Sequence, residues 1–306
     1  MTNPHRVNNT FMRFLLTFWQ FSRPHTIIGS TLSIIALYAL AAYDVSWNTW
    51  LVLLLPSLLS ALACNIYITG LNQWSDVEVD RINKPWLPIP AGQLTRTQAL
   101  TIVLIAGTVP LLLAAWFGVG FFALILLIMG IGTAYSLPPL KFKRHHLLAA
   151  AAIAVVRGLL VNIGFYLHFR YELTGAWLLS SDVIPLTVFV VAFSLGIAWF
   201  KDIPDTEGDA AYRFGTLAVR IGRQRAFTLG VLAVSVAYVW IVVAAALGYF
   251  PNPVFYMATH TFILNLFWWQ SRRLQVGDTA QVKQFYYFFW GLFFLEYLLY
   301  PMGFYL

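Results

Sequence analysis

Charge is scarce in this chain. Asp, Glu, Lys and Arg supply 10% of its 306 residues, against about a quarter in soluble domains. With 60% of residues hydrophobic, charge this thin excludes a soluble globular domain. Cysteine occurs once, as Cys64, which excludes an intrachain disulfide and a thiolate metal cage. It lies inside an apolar run and is expected to pack as a small hydrophobe rather than act as a nucleophile. Histidine is nearly as rare. His145 and His146 adjoin in a basic loop and read as interfacial groups, while His168 and His260 fall in no usable pattern. The bases outnumber the acids, 19 to 12, for a net charge of +7. They form no groove-reading element, so nucleic acid is excluded as a partner.

What is present is apolar length. Nine runs, at about 26–43, 49–71, 98–117, 119–136, 147–168, 184–200, 226–248, 254–270 and 285–305, approach the roughly 20 residues that cross a bilayer as a helix. The expected fold is all-α: a polytopic membrane protein of nine transmembrane helices bundled around a central cavity, one domain over 1–306. Gly118-Val-Gly120 reads as a tight turn between the third and fourth spans. Nine spans put 17 of the 19 bases on one face, with only Arg170 opposite and Arg157 inside a span. That asymmetry places the basic face in the cytoplasm. Residues 1–25 are expected to hold an interfacial helix, because Asn9 to Phe21 mixes Phe, Leu and Trp with Arg13. No small-residue cleavage site precedes the first span, so a cleaved signal peptide is not expected.

Against this background, the acids cluster twice. Asn72, Asp76 and Asp80 step by four residues after the second span, and Asp202, Asp205 and Asp209 step by three and four after the sixth. Each trio keeps to one stripe of a helix. Four spans separate the two motif loops, 72–97 and 201–225, so both face the same side. Facing carboxylates at about 5 Å and an effective dielectric near 20 repel by roughly 3 kcal/mol. A divalent cation removes that cost, and an all-oxygen donor set favours Mg²⁺ completed by substrate phosphates. Lys84, Lys141, Arg144 and Lys201 would meet the remaining phosphate charge. The plainer alternative is a set of solvated loop charges paired with these bases. Prolines 85, 88 and 90 are expected to make an extended loop beside the first motif. Together these features predict ionisation of an allylic diphosphate in a cavity that dissolves its tail and keeps out water.

The combination resembles the UbiA superfamily of intramembrane prenyltransferases. The likeness is carried by Asn72-x-x-x-Asp76-x-x-x-Asp80, by the second Asp-rich motif, and by Tyr135-Ser-Leu-Pro-Pro-Leu-Lys141. Phe21-Ser-Arg-Pro-His-Thr26, Val156-Arg-Gly158 with Asn162, Lys201-Asp-Ile-Pro-Asp205 with Glu207-Gly-Asp209, and Phe294-Leu-Glu-Tyr-Leu-Leu-Tyr-Pro301 are similar to homogentisate prenyltransferases. The resemblance implies nine spans and Mg²⁺ held by Asp76, Asp80, Asp202, Asp205 and Asp209, the catalytic set, with Asn72 at the first metal–diphosphate contact. It makes Lys141 and Arg144 diphosphate clamps. Asn65, Lys84, Tyr135 and Lys201 complete the expected substrate-binding set. The implied reaction moves a prenyl group, phytyl first in expectation, from its diphosphate onto homogentisate with loss of CO₂, as in tocopherol and prenylquinone synthesis. Gln73 departs from the wider pattern, standing where a carboxylate is common.

Arg157, the cation inside a span, is expected to hold the acceptor's carboxylate with Asn162 nearby, or else to make a structural pair. Glu296 is expected to be a buried hydrogen-bonding partner. His25 is a weaker candidate for touching the acceptor. Two neighbouring enzymes stay open: homogentisate solanesyltransferase, and chlorophyll synthase, against which the Lys-Asp-Ile-Pro-Asp form argues. A cation-coupled transporter would instead place its polar residues at mid-bilayer. The expected setting is a bacterial inner or thylakoid membrane, with the site on the cytoplasmic face. Donor chain length and oligomeric state stay undetermined.

Overall fold

A computed structural model describes residues 4–45 and 49–306. In chain order the helices are α1 (Pro4–Phe21), α2 (Pro24–Ala41), α3 (Trp50–Ser75), α4 (Val77–Asn83), α5 (Arg96–Trp116), α6 (Val119–Ser136) and α7 (His146–Thr174). They continue with α8 (Val183–Asp202), α9 (Thr206–Ala211), α10 (Leu217–Ile221), α11 (Arg223–Ala246), α12 (Pro253–Arg273) and α13 (Thr279–Tyr305). No strand occurs among the described residues. The fold is all-helical, as expected.

Among the described residues, seven helices are long and apolar enough to cross a membrane: α2, α3, α5, α6, α7, α8 and α11. The last two expected spans coincide with α12 and α13, of 21 and 27 residues. Both are long enough at 1.5 Å per residue, but Asn, Gln, Trp and Tyr dilute their hydropathy. The expected N-terminal helix is α1. Residues 1–3 of that expectation, and the side chains of residues 4–10, lie outside what is described. Phe11, Phe14, Leu16 and Trp19 are exposed on α1.

Local chemistry sets the helix ends. Thr95 and Gln98 form a reciprocal capping box that starts α5. Gly118, at φ 97°, makes the tight turn into α6. Asp278 caps α13 by accepting from the backbone N–H of Ala280 and Gln281.

The long helices close a ring. α2 packs on α3 and α13, α6 on α3 and α7, and α7 on α8, while α8 meets α13. α5, α11 and α12 buttress this ring from outside against α3, α8 and α13. Close approach rests on small residues: a Cβ on Gly158 of α7 would clash with the side chain of Val191 on α8. The fully buried pair His260–Glu296, at 3.1 Å, ties α12 to α13. Glu296 is therefore a hydrogen-bonding partner, as expected, and His260 is what it meets. Away from the acidic motifs, Arg170 pairs with Asp44 and donates to the carbonyl of Ala41.

Candidate active site

The two acidic motifs meet. α3 delivers Asn72 from its last turn and breaks at Asp76, whose backbone (φ −112°, ψ 16°) leaves the helical region and redirects the chain into α4. α8 ends at Asp202, and Pro204 separates it from α9. α4 and α9 then pack together: Gly208 N–H donates to Asn83 Oδ1 at 2.9 Å, and Asn83 Nδ2 donates to Asp209 Oδ1 at 3.4 Å. Lys84 pairs with Asp205 across the same seam. Residues more than 120 positions apart are thus held at one end of the helix ring.

Each carboxylate but one has a lysine close by. Lys143 Nζ stands 2.6 Å from Asp76 Oδ2, and Lys141 Nζ stands 3.7 Å from Asp76 Oδ1. Lys201 binds Asp202 at 2.7 Å, and Lys84 lies 4.0 Å from Asp80. Compensation is nonetheless incomplete. Burial pushes the Asp80 carboxyl up to about 6 against the pull of Lys84 and Arg23, with Asp76 and Asp205 adding to the rise. Burial, then Asp205 and Asp202, pushes Asp209 up to about 7. Burial lowers the Lys143 ammonium to about 8 despite the attraction of Asp76.

Among the described residues, no three His, Cys, Asp or Glu side chains converge as a ready-made metal cage. A hard divalent cation still fits. Asp76 Oδ1 and Asp80 Oδ2 are buried without a hydrogen-bond partner, and Mg²⁺ takes only one or two carboxylates when phosphates and water complete its shell.

Below the charged mouth lies a cavity of about 580 Å³ walled by α2, α3, α6, α7, α8 and α13. Ile34, Ile68, Ile128, Val161, Phe165 and Phe293 line its depth. Tyr135 lines it under Lys201, whose Nζ is 6.0 Å from the ring centroid. Asn65 lines it too, but its amide is engaged in joining α3 to α2: it donates to Thr26 O and Ser30 Oγ and accepts from Thr26 Oγ1. Asn72 Nδ2 donates to Asp76 Oδ2 at 3.4 Å. Arg157 lines the cavity with its guanidinium over Trp290 and Phe293.

Several expectations need revision. Arg144 is exposed, and its guanidinium lies over Phe214 at 5.7 Å rather than in the cavity. Lys141 has a positive φ of 39°, which turns the chain so that Lys143 reaches Asp76 and the cavity instead. Asn162 does not line the cavity. It is fully buried and bonded to helix carbonyls. Gln73 points away from the site and donates to Phe21 O at 2.6 Å, anchoring the end of α1. The proline loop is compact rather than extended, because Leu87, Ile89 and Leu94 bury apolar side chains and turn hydrogen bonds fold it. Trp86 from this loop stands at the mouth under Lys283, 4.2 Å away. His25 lines the cavity edge-on to Trp290, at 4.9 Å. Arg23, inside the Phe21–Thr26 motif, and Asn83 also line the cavity, although the sequence patterns assigned neither a role.

The comparisons with known proteins agree. The UbiA prenyltransferase family model matches residues 30–293. The chain is 39% identical over 95% of its length to the homogentisate phytyltransferase of Synechocystis sp., covering 96% of that protein. It is 37% identical over 94% of its length to the chloroplastic homogentisate solanesyltransferase of Arabidopsis thaliana, covering 77% of it. The fold matches a UbiA homolog from Archaeoglobus fulgidus bound to GPP and Mg²⁺, with a TM-score of 0.64 at 15% identity, over 94% of this chain and 99% of that one.

Proposed function

The chain belongs to the UbiA prenyltransferase family, and on that premise we propose that it transfers a phytyl group from its diphosphate to homogentisate, with Mg²⁺ and with loss of CO₂. The carrying observation is the seam of Lys84–Asp205 and Asn83–Gly208, which holds both acidic motifs over the mouth of one apolar cavity.

Asp76 and Asp80, with Asn72, would hold one Mg²⁺ against the diphosphate, and Asp202, Asp205 and Asp209 the other. Bound Mg²⁺ neutralises charge on the leaving diphosphate. Lys84, Lys141, Lys143 and Lys201, paired with carboxylates in this structure, would meet phosphate oxygens when those carboxylates hold the metal. The bond from allylic C1 to oxygen breaks, and its electron pair leaves with the diphosphate. The apolar wall below keeps water from the cation. The electron-rich hydroquinone ring then donates a pair to C1 and loses its ring proton. The side chain sheds CO₂ and takes up one proton, so charge and atoms balance. In this proposal the charged mouth faces the cytoplasm of a bacterial inner or thylakoid membrane, and α1 lies along that surface.

Membranes from an expressing host, given radiolabelled homogentisate and a panel of diphosphates, test this. Labelled phytyl quinol is expected, abolished by EDTA and restored by excess Mg²⁺. Equal product with EDTA present would remove the metal from the mechanism. A panel won by solanesyl diphosphate would move the donor to the longer chain, a shift that similar identity to both kinds of relative leaves open. Transfer to chlorophyllide but not to homogentisate would replace the acceptor.

A further inference from the structure

We infer that Arg157, laid on the faces of Trp290 and Phe293, forms a subsite of the cavity that takes the carboxylate of an aryl-acid acceptor. This rests on the proposed acceptor and assigns the group that orients it.

Arg157 is a cation without an anion. None of the ion pairs among the described residues includes it, and its side chain donates no hydrogen bond. Its guanidinium carbon lies 5.1 Å from the Trp290 centroid and 5.4 Å from that of Phe293. These rings, set edge-to-face to each other, bracket the guanidinium but accept none of its five N–H donors. A permanently charged group within a spanning helix is costly unless it meets a partner, and a carboxylate matches its planar fork with two parallel hydrogen bonds.

The backbone aims it deliberately. Arg157 sits in an eleven-residue π-helical stretch of α7, Ala154–Gly164, a wider turn found often at functional sites. The amide of Asn162 donates to the carbonyls of Arg157 and Gly158 at 2.9 and 2.8 Å. Tyr297 on α13 donates to Asn162 Oδ1 at 3.0 Å. Asn162 and Tyr297 are thus positioning residues that lock the stretch carrying Arg157 to the helix carrying Trp290 and Phe293.

Depth separates this subsite from the diphosphate end. Gly158 packs on Val191, ten residues before Lys201 and therefore about 15 Å along α8. An aromatic ring held by its acetate at Arg157 can lie between that level and the reacting carbon, with the two anionic substrates kept apart.

Kinetics on full-length enzyme in nanodiscs test the subsite by comparing homogentisate with its methyl ester. R157Q is expected to raise KM for the acid about ten- to hundredfold, with KM for the ester and for the prenyl diphosphate within about threefold. Direct binding of the labelled acid and ester should show the same loss of discrimination. Acid and ester weakened alike, or wild-type preference kept in R157Q, would overturn the subsite. Should R157Q lose prenyl diphosphate binding, R157K replaces it. There, a raised KM for the acid alone supports the subsite, and no change overturns it. Wild-type enzyme that binds the acid through Arg157 but never prenylates it would leave the subsite standing and remove the proposed function.

Discussion

At the scale of single residues, the acids were legible and the bases only partly so. Asp76, Asp80, Asp202, Asp205 and Asp209 stand out by helical spacing in the sequence, although the structure breaks each stripe, at Asp76 and between Asp202 and Thr206, and reunites the acids by packing α4 on α9. Whether Lys143 or Arg144 turns inward depends on one backbone angle, the positive φ of Lys141, and on Phe214 arriving from a distant loop to meet the exposed Arg144. No spacing rule encodes that. Three substitutions separate the roles. Asp76→Ala is expected to lower turnover about a hundredfold or more, since it removes a group placed at the developing charge. Lys143→Met is expected to raise KM for the prenyl diphosphate about tenfold, the value of one charge-assisted hydrogen bond. Arg144→Gln should stay within about threefold of wild type, as surface charges do. Initial rates in membranes, normalised to the amount of inserted protein, decide among them. A larger loss from Arg144→Gln than from Lys143→Met would reverse the assignment.

At the scale of elements, apolar runs gave the helices, and capping chemistry gave ends that hydropathy blurred. α13 begins six residues before the expected run because Asp278 and Gln281 cap it, a signal present in the sequence but weaker than the apolar block behind it. The π stretch of α7 was not legible. Its extra width depends on Asn162 reaching carbonyls within its own helix and on Tyr297 from α13, 135 residues away. The pairing of His260 with Glu296 escaped for the same reason: neither falls in a spacing pattern along its own helix, and only packing of α12 on α13 joins them. Neither residue lines the cavity, so their contribution is to stability alone. Glu296→Ala removes the acceptor and leaves a buried imidazole without it. Thermal unfolding in detergent is expected to show a loss of about 1–3 kcal/mol, with KM for both substrates unchanged in the protein that remains folded. A shifted KM at normal stability would place the pair in the catalytic machinery.

At the scale of the whole molecule, function depends on which ends of the helices share a side. Counting spans from the sequence puts both acidic motifs on one face only if the number between them is even. α5, α6, α7 and α8 intervene, and the seam between α4 and α9 closes that count in three dimensions. The loop between α7 and α8 belongs to the other end, where Tyr300 of α13 donates to Asp182 O. A membrane drawn around this ring therefore separates Glu78 and Glu207, exposed beside the two motifs, from Ser181. Single-cysteine variants at these positions, in a Cys64→Ala background, test the arrangement with a maleimide that cannot cross the bilayer. Glu78→Cys and Glu207→Cys are expected to react together in inside-out vesicles and to be protected in right-side-out ones, with Ser181→Cys showing the reverse. If Glu78→Cys and Glu207→Cys react from opposite sides, the motifs cannot grip one diphosphate and the shared site is lost. If they react together from the outer side, the site survives but its cytoplasmic placement fails, and the basic loops around it would then contradict the positive-inside rule that oriented the chain.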